Sequence, residues 1–111
     1  MSLDKSKALR TFCIPESQYD ELLLEFVDTC ELKMASLDRA LTNAELDEAA
    51  AIIHAVKGMS GNMMLDECFA VSCTIENSIR NSDIVDAVAG IDKFRLSIKD
   101  IRMAIGKMPH G

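Results

Sequence analysis

The histidine at position 54 is surrounded by small side chains and is followed by a lysine three residues later. It lies in the segment Ile53-His54-Ala55-Val56-Lys57-Gly58-Met59-Ser60-Gly61. A neutral imidazole carries a free lone pair at physiological pH, because histidine ordinarily titrates near pH ~6.5. An accessible ring of this kind can act as a nucleophile, and a nearby ammonium group can support negative charge on whatever the ring binds. The chemistry therefore depends on where this residue points.

The helix that carries the histidine is expected to run from about Ala44 to Met63, with His54 on its outer face. Its apolar stripe, spaced by three and four residues, consists of Leu46, Ala49, Ile53, Val56, Ser60 and Met63. At about 100° per residue, the histidine points roughly 120° away from the middle of that stripe. The period therefore predicts a solvent-facing imidazole, with Lys57 one turn further along.

The predicted outer face also carries several short side chains. They are Asp47, Ala50, Ala51, Gly58 and Gly61. Two glycines inside a helix each cost about 1 kcal/mol relative to alanine, so a purely structural helix is not expected to contain both. We interpret them as a place where another surface approaches the helix backbone closely. These five residues are therefore predicted to form a docking face around His54.

The residues around the histidine resemble the histidine-containing phosphotransfer (HPt) family. Its motif is a histidine followed by lysine at the third position, glycine at the fourth and a small residue at the sixth. The matching residues here are His54, Lys57, Gly58 and Ser60. The resemblance continues in Leu65 and in residues 73–77, which are similar to that family's second bundle helix. Members commonly have a glycine ten residues after the histidine, and this chain departs from them with Met64.

The resemblance implies a phosphorelay intermediate of two-component signalling. His54 would accept a phosphoryl group from a sensor or hybrid histidine kinase or from a receiver-domain aspartate, and would pass it to a response-regulator aspartate. Lys57 would give electrostatic support. Glu76 matches a glutamate that orients the ring in the phosphotransfer domains of chemotaxis kinases, although a carboxylate at the edge of the core is an equally good interpretation.

The same resemblance implies which groups the partner supplies. In this family the receiver domain provides the acidic pocket and Mg²⁺, so no cofactor is expected on this chain. No nucleotide-binding loop is visible, and autonomous ATP-dependent kinase activity is not expected. Whether such a phosphotransfer protein should be counted as an enzyme is left open.

The rest of the chain predicts an all-α protein with one core. It has 111 residues, two prolines and five glycines, which leave long uninterrupted segments of helix-forming residues. A hydrophobic fraction of 49% argues against disorder. We predict a single HPt-like domain over residues 1–111. It would consist of an antiparallel up-down four-helix bundle over about residues 15–108 and a short additional helix within residues 1–12.

Local signals place the helix boundaries of this bundle. The first long helix is expected to end near Leu41, with residues 42–45 forming a capping box in which Thr42 is the cap and Glu45 reaches back. The next helix after the histidine is expected over about residues 67–80, with its inward side chains at Phe69, Ser72, Ile75 and Ile79. The last helix has a bundle seam made of Ile84, Ala87, Ile91, Phe94, Ile98, Ile101, Ile105 and Met108.

Charge and hydropathy limit the classes of partner. The net charge of −6 argues against nucleic acid, which requires a concentrated basic patch. No apolar run approaches the roughly 20 residues that span a membrane, and no signal peptide is visible, so a cytoplasmic location is expected. Cys13, Cys30, Cys68 and Cys73 form no C-x-x-C pair and predict reduced thiols rather than a zinc site.

Two other functions remain open at this stage. The chain could be a non-catalytic helical interaction module in which His54 is incidental. It could also be a helical bundle that binds a metal or haem, since it has seven methionines and two histidines. Phosphorylation of the histidine separates the first alternative from the relay, and an absorbance spectrum tests the second.

Overall fold

The computed structural model describes residues 5–106, and its helices confirm the predicted all-α class. The helices are α1 (Lys5–Phe12), α2 (Glu16–Thr42), α3 (Leu46–Asn62), α4 (Asp66–Arg80) and α5 (Ile84–Gly106). The four long helices pack in a ring in which α2 contacts α3, α3 contacts α4, α4 contacts α5, and α5 returns to α2. Connections of three residues make consecutive helices antiparallel. The molecule is therefore an up-down four-helix bundle preceded by one short helix.

On α3 and α5, most of the residues that helical periodicity predicts to face inward are buried in the bundle core. On α5 the buried seam consists of Ala87, Ile91, Phe94, Ile98, Ile101 and Ile105. Ile84, at the first turn, is only partly buried, and Met108 lies outside the described residues. On α3 the buried residues are Ala49, Ile53, Val56 and Ser60. Leu46 and Met63, at the two ends of that predicted stripe, are half-buried.

The prediction that Phe69 lies in the core of α4 is wrong. Ser72, Ile75 and Ile79 are buried as expected, but the side chain of Phe69 is 41% exposed. Its ring lies against the backbone of α3 at Gly61, where an added β-carbon would stand 3.3 Å from the ring. Phe69 therefore covers the edge between two helices instead of entering the core.

The three connections between the long helices share one backbone geometry. The middle residue of each has a positive φ: 57° at Ala44, 59° at Met64 and 58° at Ser82. After α3, the N–H of Met64 donates to the carbonyl of Gly61 and that of Leu65 donates to the carbonyl of Ser60, each at 3.0 Å. This pair of bonds is the Schellman motif, which satisfies the free carbonyls at a helix end. Met64 therefore takes the left-handed conformation that a glycine adopts without strain.

The same geometry explains why the predicted capping box is wrong. Thr42 is the last residue of α2, and no side-chain hydrogen bond caps the start of α3. The N–H of Glu45, which donates to the carbonyl of Ala40 at 2.8 Å, is used to close α2. The polar turn was correctly located, but its hydrogen bonds end one helix instead of beginning the next.

The short helix α1 packs on one end of the bundle, as predicted for the N-terminal segment. Its Ala8 is buried, and its Lys5 forms ion pairs with Asp20 at 2.7 Å and Glu16 at 2.8 Å on α2. The ring of Phe12 lies 5.9 Å from that of Tyr19. Residues 1–4 of the segment predicted to contain this helix lie outside the described residues.

Within residues 5–106, none of the helices has the length and apolar character needed to cross a bilayer. The four cysteines are free thiols, with Cys30 and Cys68 in the core, where burial raises the pKa of each to about 12. In the same range, no three His, Cys, Asp or Glu side chains are grouped to hold a metal ion.

Candidate functional site

The imidazole of His54 faces outward, in agreement with the helical period. Its side chain is 65% exposed, and its Nδ1 lies 3.0 Å from Oε2 of Glu76 on α4. A carboxylate accepts hydrogen bonds, so this contact places the proton of a neutral ring on Nδ1. The lone pair is then on Nε2, the nitrogen that can form a new bond.

Glu76 is a buried carboxylate that holds three donors together. It is 5% exposed, and it accepts hydrogen bonds from Lys57 Nζ at 2.7 Å, from Arg80 at 2.9 Å and from His54. The bond from Lys57, aided by those from Arg80 and His54, outweighs the opposing effect of burial and lowers the pKa of Glu76 to about 2. Glu76 is therefore ionised throughout the physiological range, as an orienting carboxylate must be.

Lys57 is not a free surface lysine. Its side chain is 26% exposed, and its ammonium group is bound to the carboxylate of Glu76. The sequence predicted this charge one turn from His54 but did not identify Glu76 as the carboxylate that it binds. The structure brings Lys57 and His54 together through the two oxygens of one carboxylate, because the ammonium group contacts Oε1 and the ring contacts Oε2.

Arg80 is the residue of this site that the sequence analysis missed. Its guanidinium group is bound to Glu76, four residues earlier on α4. It also lines a shallow pocket of about 400 Å³ together with Asp47, Ala50, Ala51 and His54. The spacing of four residues between an acid and a base is a recognised helical pair and was visible in the sequence. Two cations therefore surround one buried anion beside the imidazole.

The two glycines of α3 have different surroundings. A β-carbon added at Gly58 would meet nothing within 4 Å beyond its own helix backbone and neighbours, so packing within the described chain does not explain this glycine. A β-carbon added at Gly61 would touch the ring of Phe69. At Gly61, the close approach inferred from the sequence is therefore made by Phe69 of the same domain. At Gly58 the surface is open.

An apolar groove lies between α2 and α3. It has a volume of about 240 Å³ and is lined in part by Leu22, Phe26, Met59 and Met63. Leu22 of α2 is 41% exposed. Met59 lies five residues beyond His54 on α3. At about 100° per residue, it points roughly 140° away from the histidine, so the groove opens on a different side of α3 from the ring.

The fold and this site together define a class of protein. A four-helix bundle that presents a histidine to solvent, with its Nδ1 fixed by a carboxylate of the next helix, is the arrangement expected of a helical phosphotransfer domain. Comparison with protein-family models matches the Hpt domain over residues 21–104. The chain therefore belongs to the Hpt domain family, whose activity is histidine phosphotransfer in two-component signalling. Neither the curated proteins nor the solved structures gave a match.

Proposed function

We propose that this chain is a phosphorelay intermediate in which His54 is the phosphoacceptor. The observation that carries the proposal is the exposed imidazole whose Nδ1 is bound to an ionised, buried carboxylate. The family assignment supports it, because His54 is the histidine within the matched range and His110 lies beyond it. The donor is a kinase phosphohistidine or a receiver aspartyl phosphate, and the acceptor is a response-regulator aspartate.

The proposed chemistry is an in-line displacement at phosphorus. Nε2 of His54 forms a bond to phosphorus while the bond from phosphorus to the donor breaks; from a receiver, the aspartate leaves as a free carboxylate. The proton on Nδ1 stays in place, and the positive charge that develops on the ring is balanced by Glu76. Return transfer to an aspartate reverses these changes. Such reactions depend chiefly on positioning and on charge stabilisation.

Lys57 and Arg80 are proposed to support the phosphoryl group electrostatically. Both are bound to Glu76, and Arg80 lines the pocket beside the ring. A phosphoryl group on Nε2 would add negative charge within reach of these cations. Mg²⁺ belongs to the receiver in this proposal, and this chain binds no cofactor. Phosphorylation comes from a partner, in the cytoplasm, and not from ATP directly.

The proposed docking face surrounds the imidazole. It comprises Asp47, Ala50, Ala51, Gly58 and Gly61 on α3, and the first three line the pocket beside the ring. The open surface at Gly58 lets a receiver domain approach the helix closely enough to bring its aspartate to His54.

The test is transfer of label from phosphorylated receiver domains in the presence of Mg²⁺. Wild-type protein should become labelled with an acid-labile, alkali-stable phosphoramidate, and His54→Gln should not. His110→Gln is the matched control, since it removes the other histidine and should label normally. Circular dichroism should show the same helicity in all three proteins. Labelling of the His54→Gln protein would overturn the assignment of His54, and label that survives acid would point to a Ser or Thr ester. A wild-type protein that takes no label would support the non-catalytic interaction module instead.

A further inference from the structure

Helix α5 carries a stripe of apolar side chains on the surface of the bundle. Val85, Val88, Leu96 and Met103 are 80%, 44%, 63% and 52% exposed. Val85 and Met103 are separated by about five helical turns and point in the same direction, with Leu96 between them. Four of the seven large hydrophobic residues exposed within residues 5–106 thus lie on one helix, on the side opposite its buried seam.

Two charged residues lie within this apolar stripe. Asp92 and Lys99 are both exposed, are separated by seven residues and lie on the same side of the helix as Leu96. In the part of the chain that the structure describes, neither forms an ion pair with another side chain. Arg95 and Arg102, which point towards α2, have acidic partners there, at Asp38 and at Asp28 and Glu31. The charges of the stripe are therefore available to a partner.

The order of residues along the stripe is self-complementary when two copies of α5 are placed antiparallel. The register that sets Asp92 opposite Lys99 of the second copy also sets Val88 opposite Met103. In the same register, Leu96 of one copy is offset by one residue along the helix from Leu96 of the other copy. A two-fold axis repeats each contact, so two ion pairs and two apolar pairs flank a central leucine pair. A parallel arrangement would instead place like charges opposite each other.

We propose that α5 is a homodimerisation surface, occupied by α5 of a second copy of this chain in antiparallel orientation. The inference goes beyond phosphotransfer, since it concerns a different helix. Helix α5 packs against α2 and α4 and lies across the ring from α3. In the dimer, the two His54 side chains face away from the interface, and each docking face remains open to a partner.

The first test is sedimentation equilibrium of the full chain from about 10 µM to about 1 mM, a range that detects weak association. The wild-type mass should rise towards twice the 12.2 kDa of one chain. Leu96→Glu should remain monomeric, because it places two carboxylates at the two-fold axis. Leu32→Glu is the matched control: Leu32 is 73% exposed on α2 and is not part of the stripe, so its loss should not alter the mass. A wild-type protein that stays monomeric at 1 mM overturns the proposal.

The second test examines the register through the charges. Asp92→Lys alone and Lys99→Asp alone should each weaken association about tenfold, since two favourable pairs become repulsive in every dimer. The double variant Asp92→Lys/Lys99→Asp restores both pairs with their signs exchanged and should dimerise like the wild type. A double variant as weak as the single ones would exclude the antiparallel register. Phosphoryl transfer should be unchanged in all these variants, so failure here is distinguishable from failure of the proposed relay.

Discussion

The hydrogen bond between His54 and Glu76 joins the second and third long helices of the bundle, with 3.0 Å between Nδ1 and Oε2. The two residues lie 22 positions apart in the chain. Their helices run antiparallel, and Phe69 meets Gly61 about two turns away along the same edge. One exposed ring is thus oriented by a carboxylate that is almost completely buried.

Glu76→Gln should slow phosphoryl transfer by about tenfold, in line with the loss of one nearby opposite charge. The substitution keeps the size of the side chain but removes the charge that balances the ring and holds the proton on Nδ1. Nitrogen-15 NMR of the imidazole should show an Nδ1–H tautomer in the wild type and a mixture in the variant. Glu48→Gln, on an exposed carboxylate of α3, serves as the control. An unchanged tautomer would show that Glu76 does not orient the ring.

Acid should destabilise the wild type partly through Glu76. Its pKa is lowered from 4.5 to about 2 on folding, chiefly by the hydrogen bond from Lys57, so the unfolded chain binds more protons between these values. This contribution is therefore fully present above pH ~4.5 and is lost as the pH falls towards ~2. The free energy of unfolding, measured with urea from pH 5 to pH 2, should fall less steeply for Glu76→Gln. Equal slopes would contradict the lowered pKa.

Lys57→Ala should slow transfer or shorten the phosphohistidine lifetime without preventing phosphorylation. The remaining cation, Arg80, still pairs with Glu76, so we expect an effect of a few-fold that grows in the Lys57→Ala/Arg80→Ala protein. Lys57→Arg should retain more activity, because charge is what the site requires. Rates should be compared at low and high salt, since screening lengths fall to about 10 Å at 0.1 M. Equal rates for wild type and Lys57→Ala at low salt would make this lysine an ordinary ion-pair residue.

Gly58→Gln should be at least as stable as the wild type and slower in transfer from a receiver. An added β-carbon there meets no other part of the described chain, and a helix gains up to about 1 kcal/mol when glycine is replaced by a better helix former. Gly61→Ala is the informative comparison. Its β-carbon would press on Phe69, so it should gain less stability. Thermal unfolding and label transfer measure the two effects, and a wild-type transfer rate for Gly58→Gln would refute close docking at this position.

Met64→Gly should stabilise the domain by about 1 kcal/mol, because a side chain in the left-handed region is strained and glycine is not. The residue has a φ of 59° and ends α3 in a Schellman motif. Ser82→Gly, at the equivalent position after α4, should behave similarly. The melting temperature should rise by about 4 °C for either substitution. A fall at both positions would mean that the greater freedom of glycine in the unfolded chain outweighs the strain.

The sequence by itself determined the helical class, the seam of α5 and the outward direction of His54. These properties follow from the period of the helix, which is a local property of the backbone and requires no knowledge of neighbouring helices. The glycine at Gly58 and the lysine at Lys57 were also visible as unusual for a structural helix. The match to the Hpt family covers residues 21–104, which is most of the chain.

Only the tertiary structure decided which side chains meet across helices. The burial of Glu76 among three donors, the participation of Arg80 and the exposure of Phe69 depend on how α3 and α4 are aligned along each other. That alignment is set by side-chain packing and by the backbone geometry of the turn at Met64, where a residue without special turn chemistry adopts a positive φ. Helical periodicity gives the direction of each side chain, but it leaves open the sliding of one helix against the next.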